Sequence, residues 1–224
     1  MTGAGDTAIL MPAFNEAETI AEVVRNVSQC GLPLVVDDGS TDGTAELAEA
    51  AGATVIRLSP NRGYEGALEA GFEAAGRLGL RRVVTYDADG QFELAGLKAV
   101  IAAMASGNNR LVLGQRPEAA RFGEWLFNVY TRLRFGVGDI LCGLKGYDVS
   151  LYREVGRFGT GRSVGTELAL AALRRGEAFD TVPVTVLPRQ SGPSRFGQGF
   201  RANRRLLTAL CDAVKFDLFG RKSA

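Results

Sequence analysis

A chain of 224 residues, 46% hydrophobic and 23% charged, is long enough to bury a sizeable core. It has no histidine and a formal charge of +1. A Ser-His-Asp triad, a histidine base and a His-ligated metal are thereby excluded, a global electrostatic field for nucleic acid is absent, and acid, base or metal work falls to carboxylates.

Cys30, Cys142 and Cys211 are odd in number and far apart, which fits reduced thiols in a cytoplasmic setting better than a disulfide frame. Residues Met1 to Thr7 are small and polar, with no signal-peptide pattern, and no run of ~20 apolar residues is present. A cytoplasmic protein follows, at most peripheral to a membrane. The 189–224 tail carries eight Lys or Arg against Asp212 and Asp217, so the basic charge is concentrated there and the remainder is net acidic.

In chain order, apolar runs predict strands at Thr7 to Pro12, Leu32 to Val36, Thr54 to Leu58, Arg82 to Tyr86 and Arg110 to Gly114. Helical periodicity fills the gaps. Asn15 with Glu18 three residues on has the spacing of a capping box for a helix over Glu18 to Val27, and Gly52 and Gly79 stand where the next two helices should stop. Beyond residue 115 come a long helix (Ala119 to Phe135), the Gly-rich GVGDILCGLKGYDVS, a helix from Val164 to Arg175, and TVPVTVLP, whose prolines suit an edge strand. RQSGPSRFGQG and a basic helix (Gly199 to Phe219) close the chain. The pattern is that of parallel βαβ units in one domain over 1–224, with about 7–116 as one half and about 117–224 as the other.

Ligands of parallel α/β sheets bind beyond the carboxyl ends of the strands, and these ends are polar: PAFNE (Pro12 to Glu16), DDGSTDGT (Asp37 to Thr44), NRGYEGA (Asn61 to Ala67), DADGQ (Asp87 to Gln91), and Gln115 with Arg116. Asp37 and Asp38 serve either as Asx caps or as acceptors for a base or ribose. Asn61 to Gly66 is either a turn or a phosphate-facing helix start. In DADGQ, carboxylates at i and i+2 with a neutral amide at i+4 can present hard oxygens to Mg²⁺ or Mn²⁺; alone, they would equally suit a capped surface turn.

Taken in series, PAFNE, VDDGSTDGT, NRGYEGAL and YDADGQF, followed by DILCGLKGYDVSLYR, GTELALAALRRG and VPVTVLPRQSGPSRFG, resemble the family 2 glycosyltransferases of the GT-A fold. Within that family the later segments look like the dolichol-phosphate mannose synthase branch and related bacterial enzymes of polysaccharide and lipid-linked sugar assembly. The resemblance implies a Rossmann-like, mostly parallel central sheet flanked by helices, with a C-terminal acceptor-side extension. It also implies metal-dependent, inverting transfer of a sugar from a nucleoside diphosphate to a polyprenyl phosphate or a polysaccharide or lipopolysaccharide acceptor. Pro12, Phe14, Glu16, Val36, Asp38, Asp87, Ala88 and Arg116 would then surround the donor, with Asp87, Asp89 and Gln91 holding Mg²⁺ or Mn²⁺. Arg116 stands in Gly-Gln-Arg where the family has Gly-Ser-Arg.

For a hydroxyl acceptor, Asp139 and Glu167 are the candidate bases; an ionised lipid phosphate needs none, and Arg189, Ser194 and Arg195 match that branch's phosphate-binding segment. The apolar side of the closing helix either packs on the core or meets anionic lipid. Two rival readings stay open on the residues alone: a sugar-phosphate nucleotidyltransferase, which should carry a basic Gly-rich loop where PAFNE stands, and a non-catalytic nucleotide-sugar-binding module.

Overall fold

All five predicted apolar runs form strands: β1 (Thr7–Ala13), β2 (Leu32–Asp37), β3 (Thr54–Arg57), β4 (Arg82–Thr85) and β5 (Leu111–Gln115). A computed structural model describes residues 5–106, 109–117, 121–158, 164–187 and 199–219. Two further strands, β6 (Lys145–Asp148) and β7 (Phe179–Pro183), complete a seven-stranded sheet of order β3-β2-β1-β4-β6-β5-β7. Pairing is parallel throughout except at β6, which runs antiparallel to both β4 and β5. The five polar strand ends therefore do share one rim of the sheet.

The helices are α1 (Ile20–Val27), α2 (Thr44–Ala50), α3 (Gly63–Arg77), α4 (Leu94–Ser106), α5 (Phe122–Phe135), α6 (Val149–Val155), α7 (Glu167–Arg174) and α8 (Gly199–Phe219). Strand residues alternate between two cores, as the two-residue pleat requires. Ala8, Leu10, Leu34, Val36, Leu111 and Tyr147 join one core with residues of α3, α5, α6, α7 and α8. Ile9, Met11, Val35, Val84 and Val112 join the other with α1, α2 and α4. On α1, Ile20, Val23, Val24 and Val27 are all buried, each contributing roughly 1.5–3 kcal/mol through burial.

Four local expectations change. Asn15 does not cap α1: it lies at φ 50 and its Oδ1 accepts from Thr41 N, while the helix begins at Ile20 after Thr19. The competing partner is the turn after β2. The helix expected from Val164 begins at Glu167, because Val164 and Gly165 both have positive φ. The edge strand expected in TVPVTVLP begins two residues earlier and covers Phe179–Pro183, and Val186 makes only an isolated bridge to Phe92. The Gly-rich passage, to which the sequence assigned no element, contributes β6 and leads into α6, where Asp148 caps the helix by accepting from Ser150 N at 2.8 Å. Gly52 and Gly79 do follow the caps of α2 and α3 at φ 99 and 73.

Candidate active site at the strand ends

The first two strand-end turns are laced together. The amides of Asn15, Glu16 and Ala17 donate to Ser40 Oγ at 2.8 Å, Thr44 Oγ1 at 2.8 Å and Asp42 Oδ2 at 3.1 Å. Asp37 accepts from Ser40 N, and Asp38 Oδ1 accepts from Arg62 N at 2.7 Å, so Asp38 joins the second turn to the third. Both aspartates are buried. Burial pushes the Asp38 carboxyl above its ordinary value, and the amides of Arg62 and Gly63 only partly offset this. Pro12 is half-buried and Phe14 exposed at the rim, whereas Val36 is fully buried with its side chain in the core, so any contact it makes with a ligand is through its backbone.

Asp87 and Asp89 follow β4. Burial, and then the like charge of Asp89, raise the Asp87 carboxyl to about 6, against the pull of Lys145, Arg116 and the Tyr64 hydroxyl that hydrogen-bonds it. Gly143 faces the same carboxylate so closely that a Cβ there would lie 2.5 Å from Asp87 Oδ2. Ala88 is buried, and its carbonyl accepts from Thr19 Oγ1 at 2.9 Å. Asp89 Oδ1 accepts from Gln91 N at 3.1 Å; Gln91 Nε2 donates to Leu187 O at 3.0 Å, and Leu187 N returns a bond to Gln91 O at 2.7 Å. The amide of Gln91 is thus oriented by the stretch leading into 188–198.

Among the described residues, no group of three or more acidic or cysteine side chains is placed to hold a metal ion by itself. A cation here would be held by the two carboxylates and the Gln91 carbonyl oxygen, with water and diphosphate oxygens completing its shell, and this hard-oxygen set fits Mg²⁺ or Mn²⁺. The burial and mutual repulsion that raise the Asp87 carboxyl are what such a cation would relieve.

At the end of β5, Arg116 forks onto Asp139, Nε to Oδ2 at 2.7 Å and Nη2 to Oδ1 at 3.1 Å, and also reaches Glu124 Oε2 at 3.3 Å. Burial alone would lower the guanidinium pKa, but Asp139 and then Glu124 hold it above its ordinary value. Asp139 also accepts from Leu141 N. Glu167 is half-buried in the first turn of α7, where the helix dipole favours a carboxylate. Arg189, Ser194 and Arg195 lie outside the described residues.

Three neighbours escaped the sequence reading. Tyr64 sits in the quoted NRGYEGA but draws notice only through its hydroxyl at Asp87. Lys145 is buried on β6 and Glu124 on α5. The place of Lys145 follows only from the pairing of β6 with β4 and β5, and nothing local marked Glu124.

The sequence pattern described as Glycosyl transferase family 2 matches residues 8–136. Glycosyltransferase AglJ of Haloferax volcanii is 31% identical over 82% of this chain and 64% of its own length. Polyprenol monophosphomannose synthase of Mycolicibacterium smegmatis is 26% identical over 84% of this chain and 80% of its own. Among solved structures, glucosyl-3-phosphoglycerate synthase from Mycobacterium tuberculosis in complex with Mg²⁺ and uridine diphosphate superposes with a TM-score of 0.75 at 21% identity, covering 92% of this chain and 78% of that one.

Proposed function

The chain belongs to glycosyl transferase family 2, and from that premise we infer that it transfers a sugar from a nucleoside diphosphate to a polyprenyl phosphate, with inversion and with Mg²⁺ or Mn²⁺. It is a glycosyltransferase with the GT-A fold, which removes the nucleotidyltransferase and the non-catalytic module from consideration. The turns after β1, β2 and β3 would take the nucleoside, and Asp87, Asp89 and Gln91 the cation and diphosphate. When bound, the cation neutralises charge building on the leaving diphosphate.

The choice of acceptor is carried by the fork between Arg116 and Asp139. Both carboxylate oxygens of Asp139 accept from Arg116, so this candidate base is engaged in holding a cation instead of awaiting a proton. A phosphate acceptor needs no base: its ionised oxygen attacks the anomeric carbon, the bond from that carbon to the diphosphate breaks, and the electron pair leaves with the nucleoside diphosphate. The names of relatives support this reading, since the Mycolicibacterium smegmatis protein is a polyprenol monophosphomannose synthase. Arg189, Ser194 and Arg195 would receive the acceptor phosphate.

A cytoplasmic, peripheral position at the membrane belongs to the same reading. Among the described residues, no helix is long and apolar enough to cross a membrane. Leu206 and Leu210 of α8 are buried in the core, so part of the expected lipid-facing side of that helix is occupied, while Phe216 on the same helix is exposed. Further exposed apolar surface lies on α5, where Phe122 (65% exposed) stacks on Trp125 (53% exposed), with Leu133 further along. Exposed Arg204, Arg205 and Lys215 of α8 supply the basic charge.

The test is transfer from radiolabelled UDP- and GDP-hexoses, with Mn²⁺, to a short-chain polyprenyl phosphate. A lipid-extractable, acid-labile product is expected. Transfer to an oligosaccharide hydroxyl, with the lipid phosphate inert, would overturn the acceptor assignment.

A further inference from the structure

We propose that Lys145 and Tyr64 are positioning residues that lock the 164–167 segment to the Asp87 carboxylate, so that the donor carboxylates and the start of α7 keep one fixed relative geometry. The proposal rests on the reading of Asp87 as a donor-side carboxylate and assigns the residues that hold it in register with the acceptor side.

Lys145 is 4% exposed. It opens β6, paired with Thr85 of β4 on one side and Leu113 of β5 on the other, so its stem cannot carry the ammonium out to water as surface lysines do. The Nζ donates to Gly165 O at 3.2 Å, while Asp87 and Asp139 both attract its charge. A buried ammonium is costly to hold, and an apolar side chain of similar volume often serves stability as well or better. Its Nζ bond to a backbone carbonyl of the 164–167 segment, within electrostatic reach of Asp139 and Asp87, therefore points to register.

Gly165 is held from every side that the surrounding groups offer. Its N–H donates to Glu65 Oε1 at 3.2 Å, and its carbonyl accepts from Lys145. Its Cα faces the Tyr64 ring so closely that a Cβ would stand 2.8 Å from Tyr64 Cε1. Tyr64 is 43% exposed as a whole residue, yet its hydroxyl hydrogen-bonds Asp87. One tyrosine thus touches the donor carboxylate with its hydroxyl and the acceptor-side backbone with its ring.

The segment so held is not one the chain adopts readily. Val164, a β-branched residue, lies at φ 50, directly before Gly165 at φ 75. Such a backbone persists when its surroundings over-determine it, and the contacts to Glu65, Lys145 and Tyr64 do so. Glu167 and α7 begin two residues later. Movement of Asp87 would be passed to that point through both Tyr64 and Lys145.

The test is amide hydrogen exchange on the full chain without donor or acceptor, read by mass spectrometry on peptides covering 164–168. Tyr64→Phe and Lys145→Met should each speed exchange there by about tenfold while amides of β1 and β2 stay within about twofold of wild type. Asp87→Asn should do the same although it does not touch the segment, and the Asp87→Asn, Lys145→Met double variant should exchange no faster than Lys145→Met. Unchanged exchange in Tyr64→Phe, or independent multiplicative effects in the double variant, would overturn the proposal.

Should Lys145→Met fail to fold, β1 and β2 would report it, and Tyr64→Phe, which keeps the ring on Gly165, carries the test. In turnover, Tyr64→Phe should lower kcat about tenfold with the donor KM within about twofold. A raised donor KM with kcat intact would assign Tyr64 to donor binding and overturn the positioning role. Because exchange needs no substrate, failure of the proposed activity would show as an inert wild type with the exchange coupling intact.

Discussion

Arg116 and Asp139 face each other as a two-bond fork, Nε to Oδ2 at 2.7 Å and Nη2 to Oδ1 at 3.1 Å, at the end of β5. Their side chains are 19% and 5% exposed. Removing one partner of a pair this buried leaves the other charge poorly compensated, so Asp139→Ala should cost roughly 3 kcal/mol in urea-induced unfolding. Arg116→Lys should cost nearly as much, since an ammonium cannot reproduce the planar fork. Formate should not restore turnover to Asp139→Ala; restoration would make Asp139 a base after all.

Asp89→Asn separates the metal reading from a capping role. The amide keeps an oxygen able to accept from Gln91 N, the bond that Asp89 Oδ1 makes now, so the melting temperature should hardly move. Turnover at fixed Mn²⁺ should fall on the order of 10²- to 10³-fold, the scale of losing a cation's stabilisation of the leaving group. Normal turnover across a Mn²⁺ titration would refute the ligand assignment.

Gly143→Ala tests the close wall behind Asp87. The added Cβ would lie 2.5 Å from Asp87 Oδ2 and 2.9 Å from Oδ1, so the carboxylate or the 143 backbone must shift. Overpacking of this kind costs about 1–3 kcal/mol, and metal-dependent turnover should drop further than stability alone explains. The comparison is turnover against the urea midpoint, with Gly136→Ala as reference, since a Cβ there meets nothing within 4 Å and only its positive φ is strained.

Asp217 sets the acid limit of α8. Burial would raise its carboxyl, but hydrogen bonds from Tyr130 and Arg174, and then the charges of Arg174 and Arg134, leave it below the ordinary value. A carboxyl depressed in the folded state contributes stability that is present above its unfolded pKa, about 3.9, and is lost as pH falls through the folded value. Wild type and Asp217→Asn should therefore differ in urea midpoint at pH 7 and converge as pH falls through the depressed folded value. The single Trp125, on the α5 helix that packs against α8, provides the fluorescence readout.

Much of this was readable in the chain. Alternating apolar runs and polar turns placed β1 to β5, and DADGQ stood at a strand end because Val83 and Val84 had to be buried before it. What the chain concealed were pairings between residues far apart. Asn15 had the spacing of a helix cap, but the turn after β2 offered its side chain a competing partner in Thr41 N. β6 went unseen because KGYD has neither apolar alternation nor length, and its strand state is imposed by β4 and β5 on either side. Lys145 could not be read as a site neighbour before β6 was known, since its relation to Asp87 exists only across that pairing.

The reversed strand β6 also bears on how the protein can be divided. Although the turns proposed to take the nucleoside all precede residue 117, a fragment ending there would lack the strand that joins β4 to β5. Both would present bare backbone edges, and β5 would have lost β7 as well. Such a piece would seek strands from neighbouring copies. Co-expression with the complementary 117–224 piece should give a soluble pair where either alone aggregates, so the proposed sugar-donor half is a region of sequence without being a separable unit of folding.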